Sequence, residues 1–381
     1  MSQSITKSRL INIDILRGFA LLGVLLANLQ SLTYPGSYLP PLVFADHSAI
    51  DRVFEAFIRI FAEGSFYPLF ATLFGLGFAM QLQKPGFTPA KFRRRLWILL
   101  GFGLLHAALV WEGDILVSYA LLGFTLLPLR NRSKRTLLLI IFGCLLYSFT
   151  VFNFAFSVVE PSYAYLDKIA TTYAQGSYLE VTRVRLFDLG LVSAEVLFYF
   201  PHILACFLTG LLIGRCGAGG TLSNRHLLRH TLVLALAIGL PVVSAQGFVM
   251  LTQPVVPAWL TALDTAIGSA ALGFAYATAL LLLLQRSVWR TRLAPLGALG
   301  RTSLSNYLLQ SLVFTSLYYG YGGGLYAHVP LSVSVILALV LCTLQVFASR
   351  WWLSHYDQGP LEALWRRLSY ADAAIPVQKP G

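Results

Sequence analysis

The sequence predicts an all-α, polytopic membrane protein with about ten transmembrane helices and with both termini in the cytoplasm. The 381 residues are 57% hydrophobic and only 12% charged, with a mean hydropathy of +0.69, which is too apolar for a soluble globular domain. The apolar residues form stretches long enough to cross a bilayer as helices. The basic residues fall in short clusters between those stretches.

The helices follow from windows of about 19 apolar residues. These windows lie near residues 12–33, 57–82, 96–111, 115–130, 136–157, 191–214, 229–250, 258–285, 302–320 and 330–350. We find no internal repeat and no soluble segment between them. The sequence therefore predicts a single integral membrane domain over residues 1–381, with one long extracytoplasmic loop at about 158–190 that holds a short interfacial helix.

The charged residues give the orientation of this domain. With the N-terminus inside, 22 of the 28 Lys and Arg residues fall in cytoplasmic segments, as the positive-inside rule requires. Eleven of the 16 Asp and Glu residues fall at or near the outer face. We therefore assign the net charge of +12 to membrane topology and not to nucleic-acid binding, and we expect a multi-pass protein of the bacterial inner membrane.

Several kinds of site find no support in the sequence. The four cysteines have no metal-ligand spacing, so neither a zinc site nor a disulfide framework is predicted. Walker, dinucleotide-binding, HExxH and GxSxG motifs are absent, which disfavours ATP-driven transport and several hydrolytic chemistries.

Polar residues inside the predicted spans are candidates for function because they are costly in lipid. In the first span, Asp14 and Arg17 can pair at i, i+3, and Asn28 follows eleven residues after Arg17. An ion pair that anchors the helix end is an equal alternative for the first two residues. A helix-packing role is the alternative for Asn28.

Two histidines and two acids are candidates for acid–base chemistry. His47 lies in an outer loop close to acids, with an unimportant surface histidine as the alternative. His106 precedes Glu112 and Asp114, which share a tight turn and resemble a paired-carboxylate site or a solvated turn. Because Glu112 is about 9 Å from His106 along the helix axis, a direct hydrogen bond between them is not expected.

Arginines gather on the predicted cytoplasmic face, at Arg93, Arg94, Arg95 and Arg301. The positive-inside rule alone accounts for them. They are also suited to binding the phosphates of a nucleotide or coenzyme A, because a guanidinium binds phosphate through two hydrogen bonds.

Several segments resemble the bacterial YeiB-like family, domain-of-unknown-function family 418. They are NIDILRGFALLG from Asn12 with Asn28, LFGLGF from Leu73, GDIL from Gly113 with Tyr119, GRTSLSNYLLQS from Gly300, then Gln345, Ser349 and Trp352, and GPLE from Gly359 with Trp365 and Arg366. The resemblance covers nearly the whole chain.

The first span of that family is similar to the transmembrane acyltransferase superfamily. In acyltransferase family 3 an Arg, matched here by Arg17, precedes the catalytic His by eleven residues, whereas this sequence has Asn28 in the second position. The heparan-glucosaminide acetyltransferases have Asn at this position and use a His of the following outer loop, which His47 matches.

The resemblance implies an acyltransferase that moves an acyl group from cytoplasmic acyl-CoA to an extracytoplasmic glycan, lipid or small molecule. His47 or His106 would be the base, Asn28 would bind the oxyanion, and Arg17 with the cytoplasmic arginines would bind the coenzyme; no metal is expected. The alternatives are a transporter of a small amphiphile that uses Asp264, Glu195 and His202, or a regulatory protein without turnover. A homo-oligomer is compatible with either function.

Overall fold

The computed structural model describes residues 2–34, 48–158, 163–217, 222–252 and 256–370, and these residues form helices and turns without a strand. In chain order the helices are α1 (Ser2–Thr33), α2 (Ala49–Phe61), α3 (Phe66–Leu82), α4 (Pro89–Leu109), α5 (Leu116–Leu129), α6 (Lys134–Val158), α7 (Tyr163–Gln175), α8 (Tyr178–Arg215), α9 (Arg225–Thr252), α10 (Ala258–Leu263), α11 (Ser269–Leu284), α12 (Ser287–Arg301), α13 (Ser303–Tyr318), α14 (Leu331–His355) and α15 (Pro360–Ser369). A π-helical segment, Asp264–Gly268, joins α10 to α11.

The first helix is central to the bundle. It packs against α2, α3 and α11 to α14, and its apolar residues belong to the main hydrophobic core. The α1 and α12 backbones touch, because a Cβ on Gly18 would overlap the carbonyl oxygen of Leu296 and one on Gly300 would overlap that of Asp14. Similarly, Gly75 and Gly210 bring α3 against α8, as small residues do between membrane helices.

Each predicted span lies on a helix, but three features differ from the sequence prediction. The span predicted at 57–82 is broken by a turn at residues 62–65, where Gly64 has a φ of +76°. The predicted outer loop contains the short helix α7, as expected, but α8 already begins at Tyr178, before the span predicted at 191–214. Two further helices, α12 and α15, were not predicted as spans. Their segments contain too many polar residues to count as transmembrane windows of apolar residues.

Six helical stretches in the described part of the chain are long and apolar enough to cross a membrane. They are Ile11–Thr33, Ala49–Leu82, Lys134–Ala155, Arg225–Met250, Ala258–Leu284 and Leu331–His355. Two of them, on α6 and α9, expose large apolar side chains such as Leu139, Phe142, Val233 and Phe248. In water such surfaces would be unfavourable, whereas lipid tails solvate them.

Candidate functional site

Two cavities lie along α1. The larger has a volume of about 600 Å³ and includes Asn28 in its wall, and we name it the Asn28 cavity. The smaller, of about 280 Å³, includes Arg17, and we name it the Arg17 cavity. Val24 and Ile115 line both cavities, so the two spaces approach each other at these residues. Because a helix rises 1.5 Å per residue, Arg17 and Asn28 are about 17 Å apart along α1.

Acidic and aromatic side chains dominate the polar part of the Asn28 cavity. Its wall includes Glu63, Glu112, Asp114 and Asp264, with Tyr34, Tyr67, Trp111, Tyr173, Tyr199 and Tyr326. Arg59 is the single Lys or Arg among the lining residues. The structure thus brings the predicted Asn28, Glu112 and Asp114 to one space.

Ion pairs balance part of this charge. Nε of Arg59 donates to Oε1 of Glu55 at 3.0 Å, and Nε of Arg185 lies 3.8 Å from Oε2 of Glu112. Arg185 is fully buried and also donates to the carbonyl oxygen of Ala108 at 3.2 Å. A buried guanidinium is stable only with such partners, and the Glu112 carboxylate balances its charge without a hydrogen bond between the two paired atoms.

The His106 ring is paired with Asp114 and not with Glu112. Nδ1 of His106 donates to Oδ2 of Asp114 at 2.7 Å, and both side chains are at most 2% exposed. The other carboxylate oxygen accepts the Val117 amide at 2.8 Å and so caps α5. Gly103 leaves room for this carboxylate, since a Cβ there would lie 2.9 Å from Oδ1 of Asp114.

This pair lies beside both cavities, although His106 itself lines neither of them. The Nε2 atom of His106 is buried and has no hydrogen-bond partner among the described residues. The His106 ring contacts the ring of Tyr307 with centroids 5.4 Å apart, and the hydroxyl of Tyr307 accepts the Ile115 amide at 3.3 Å. Asp114 lines the Asn28 cavity and Tyr307 lines the Arg17 cavity. An imidazole held by a carboxylate in this way is suited to act as a general base.

The Arg17 cavity combines basic groups with apolar walls. Arg17, Arg95, Arg301 and Arg366 line it together with the apolar side chains Leu21, Phe70, Leu73, Phe74, Leu96, Leu99, Leu116 and Leu304. Nη1 of Arg17 lies 3.4 Å from Asp14, and Gly77 leaves space for the other end of the guanidinium.

The remaining arginines divide into two groups. Arg95 stacks on the Trp365 ring at 3.6 Å, and Nη2 of Arg301 donates to the carbonyl oxygen of Asp357 at 2.7 Å. Arg93 and Arg94 are exposed and line a separate surface depression with Trp97 and Leu368. The predicted basic cluster is therefore split, because successive residues of a helix point in different directions.

Glu362 connects α15 to the Arg17 cavity. Its carboxylate accepts the amides of Leu304 at 2.7 Å and Ser305 at 3.1 Å, and the Ser305 hydroxyl at 2.5 Å, so it caps the beginning of α13. Burial raises the pKa of Glu362, and the hydrogen bonds from Ser305 and Leu304 oppose that rise. The last helix is thereby fixed at the mouth of the cavity.

The π-helical segment carries Asp264 into the Asn28 cavity. Both carboxylate oxygens of Asp264 accept the Ser269 hydroxyl at 2.9 Å. His202 is fully buried, and its two ring nitrogens hydrogen bond with the Tyr67 hydroxyl at 2.9 Å and the Ala266 carbonyl at 3.2 Å. His202 therefore supports the π-helical segment, a kind of element that frequently occurs at functional sites.

A polar cluster between α13 and α14 has a packing role. Nδ2 of Asn306 donates to Oγ of Ser349 at 2.9 Å, Nε2 of Gln310 donates to Oε1 of Gln345 at 2.9 Å, and Nε2 of Gln345 donates to the Asn306 carbonyl at 3.0 Å. All four side chains are buried. Such interhelical hydrogen bonds hold membrane helices together.

Not every predicted residue can be placed, and some important ones were not predicted. His47 lies outside the described residues, as does the side chain of Glu195. Tyr307, Trp111 and Arg366 were not selected as site residues, since no sequence spacing relates them to α1 or to His106. Within the described part of the chain, no group of three His, Cys, Asp or Glu residues is arranged to hold a metal ion.

Comparison with known proteins gives relatives without an assigned activity. Residues 213–372 match the family described as "Protein of unknown function (DUF418)". The chain is 31% identical to the uncharacterized protein YxaH of Bacillus subtilis over 401 aligned residues, which cover 97% of this chain and 96% of YxaH. It is 30% identical to the uncharacterized protein YeiB of Escherichia coli, covering 97% and 99% of the two chains. No solved structure matches the chain.

Proposed function

The chain belongs to the YeiB-like DUF418 family of bacterial proteins, and from this premise we propose that it is an inner-membrane acyltransferase that uses cytoplasmic acyl-CoA to acylate an extracytoplasmic acceptor. The single observation that carries the proposal is the pair of cavities that share Val24 and Ile115 in their walls, with Asp114 of the His106–Asp114 pair lining the Asn28 cavity. One cavity is basic and apolar, whereas the other is acidic and aromatic. Such a pair is suited to two different substrates that approach from opposite sides.

The proposed topology has about ten spans, with both termini in the cytoplasm. The distribution of Lys and Arg supports it, since 22 of 28 fall on the side that would be cytoplasmic. In this orientation the Arg17 cavity opens toward the cytoplasm and the Asn28 cavity toward the outside. The cytoplasmic acyl donor and the extracytoplasmic acyl acceptor would then approach each other through the two cavities, and neither would have to cross the bilayer.

The Arg17 cavity would hold the donor. Arg17, Arg95 and Arg301 offer guanidinium groups to the coenzyme phosphates, and the apolar walls beyond them suit an acyl chain. Asn28 lies four residues beyond Val24, about 6 Å along the helix, and its amide would donate to the oxyanion that forms at the thioester.

His106 would serve as the base in this reaction, which requires that its buried Nε2 become accessible from the Asn28 cavity. The acceptor hydroxyl or amine attacks the thioester carbonyl carbon while Nε2 of neutral His106 removes its proton, and Asp114 holds the Nδ1–H and stabilises the imidazolium. When the C–S bond breaks, the acyl group stays on the acceptor as an ester or amide. The coenzyme thiolate leaves and takes the proton from His106, which returns to its neutral form.

Binding and hydrolysis of acetyl-CoA by the purified protein in detergent test this proposal. We expect Arg17→Ala to weaken binding about tenfold or more, because a charged hydrogen bond is lost. His106→Gln should remove slow thioester cleavage while binding persists. The matched controls are Arg94→Ala and His230→Gln, which change exposed residues outside both cavities.

The outcomes of this experiment separate the hypotheses. Equal loss in Arg17→Ala and Arg94→Ala would show that general basicity and not the cavity binds the coenzyme. His47→Ala tests the second histidine. If thioester cleavage is lost in His47→Ala but kept in His106→Gln, the base is His47 and not His106. If the protein does not bind acetyl-CoA at about millimolar concentration, the acyltransferase proposal is refuted.

Transport of a small amphiphile is the second candidate, and Asp264 on the π-helical segment of the Asn28 cavity favours it. An intramembrane carboxylate at an irregular helix is typical of ion-coupled sites. A transporter reconstituted in vesicles would move its substrate without acyl-CoA and would lose that movement in Asp264→Asn. An acyltransferase would release free coenzyme only when acyl-CoA is present.

A further inference from the structure

The Asn28 cavity contains two carboxylates that form no ion pair within the described part of the chain. Three acids near this cavity have basic partners, in the pairs Arg59–Glu55, Arg185–Glu112 and His106–Asp114. Glu63 and Asp264 have no cationic partner among the residues that the structure describes. Asp264 is only 8% exposed, which makes its unbalanced charge expensive.

The rest of the sequence offers little that could supply the missing cation. The segments 35–47, 159–162, 218–221 and 253–255 contain no Lys or Arg, and Lys7, Arg9 and Lys379, whose side chains lie outside the described part of the chain, are cytoplasmic in the proposed topology. A buried carboxylate inside an otherwise paired site is stabilised when a positively charged ligand arrives. The charge of the cavity therefore favours a cationic ligand.

The aromatic lining indicates what kind of cation fits. Tyr67 and Tyr199 stand edge to face with ring centroids 6.2 Å apart, and the Trp111 ring lies in the same wall. Aromatic faces attract organic ammonium groups, and they compensate less well for the water that a small metal ion would lose. Carboxylates together with aromatic rings are thus suited to an organic ammonium.

A buried donor adds a second requirement. Trp111 is 3% exposed, and its Nε1–H is buried without a hydrogen-bond partner in the described part of the chain. An unsatisfied buried donor is costly, and an ammonium has no lone pair to accept from it. Trp111 lines the cavity, and a ligand hydroxyl oxygen that inserts beside the shielded Nε1, next to the turn that carries Asp114, would satisfy this donor.

We propose that the Asn28 cavity binds a hydroxyl-bearing organic ammonium, with its positive end at Glu63 and Asp264 and its hydroxyl at Trp111. The inference rests on the proposed function, in which this ligand is the acyl acceptor and its hydroxyl is the group that attacks. The binding itself requires neither acyl-CoA nor turnover. It is therefore testable separately from the transfer reaction.

The test measures thermal unfolding of the full-length protein in detergent, at constant pH and ionic strength, because a ligand that binds the folded state raises the Tm. The probes are choline and ethanolamine. Each is compared with a neutral isostere in which carbon replaces the nitrogen, dimethylbutanol for choline and propanol for ethanolamine. We expect the two ammonium compounds to raise the Tm and the two alcohols to leave it unchanged.

Three variants locate the binding site. Glu63→Gln and Asp264→Asn should each raise the apparent dissociation constant about tenfold or more, since a charged interaction is lost. Asp167→Asn, at an exposed residue of α7 that does not line the cavity, is the matched control and should bind as wild type does. Trp111→Phe should weaken the binding of choline but not that of tetramethylammonium, which has no hydroxyl.

The inference is overturned if the alcohols stabilise the protein as much as the ammonium compounds do, if no probe shifts the Tm, or if Glu63→Gln binds as wild type does. Glu63 is exposed, so this variant stays informative even where Asp264→Asn fails to fold. Ammonium binding without acetyl-CoA binding would refute the acyltransferase alone. Acetyl-CoA cleavage without ammonium binding would refute only this assignment of the acceptor.

Discussion

Two glycines on α4 give a matched pair of substitutions that tests the geometry of the His106–Asp114 pair. At Gly103 a new Cβ would lie 2.7 Å from the Val117 amide nitrogen and 2.9 Å from Oδ1 of Asp114. At Gly101, two residues earlier on the same helix, a Cβ would meet no heavy atom within 4 Å. Both changes to alanine improve helix propensity by about 1 kcal/mol. The difference between the unfolding free energies of the two variants therefore reports packing alone.

The magnitudes follow from these contacts. Overpacking against backbone costs about 1–3 kcal/mol, which at Gly103 outweighs the gain in propensity by up to about 2 kcal/mol. An unfolding entropy of about 2.1 cal/mol/K per residue gives about 0.8 kcal/mol/K for a chain of this length. We therefore expect Gly103→Ala to lower the Tm by up to about 2.5 °C and Gly101→Ala to raise it by about 1 °C.

The assay combines thermal unfolding in detergent with hydrolysis of acetyl-CoA. Displacement of Asp114 should reduce hydrolysis in Gly103→Ala and leave it intact in Gly101→Ala, because a misplacement of about 1 Å costs on the order of 100-fold in rate. Equal stability and equal hydrolysis in the two variants would refute the close approach of α4 and α5 and the position that it gives Asp114.

Three further changes test other contacts. Asp51→Ala removes the acceptor that caps α14 through the Ser332 amide at 2.9 Å, and it should lower the unfolding free energy by about 1–2 kcal/mol, whereas Asp167→Ala should not. Gly77→Ala places a Cβ 3.3 Å from Nη2 of Arg17, and acetyl-CoA binding should weaken while the Tm changes little. Burial raises the folded-state pKa of Glu362, so its favourable contribution is present at low pH and is lost as pH rises through that pKa. The Tm advantage of wild type over Glu362→Gln should therefore grow as pH falls from about 7 to about 4, and an advantage that shrinks instead would contradict the buried position of Glu362.

The sequence by itself determined where the apolar helices lie and which residues share α1. Hydropathy and backbone hydrogen bonding are local, so each predicted span fell on a helix, and the spacing of Arg17 and Asn28 already placed them at different depths of one helix. Resemblance of short motifs was enough to indicate the family, because those motifs are read along the chain. The break at residues 62–65 was missed because a single polar turn barely lowers a windowed average.

Only the tertiary structure decided which side chains meet. The turn between α4 and α5 brings Asp114 back to His106, although Glu112 is closer in sequence, because the direction of the chain reverses there. Arg95 faces the Arg17 cavity while Arg93 and Arg94 face away, since the rotation of α4 is set by its packing and not by its composition. Glu63, in the turn before α3, and Asp264, on the π-helical segment before α11, lie about 200 residues apart in the chain and share one cavity only because α3 and α11 both pack against α1. A windowed hydropathy average contains no information on such long-range contacts, because they arise from the packing of many helices at once.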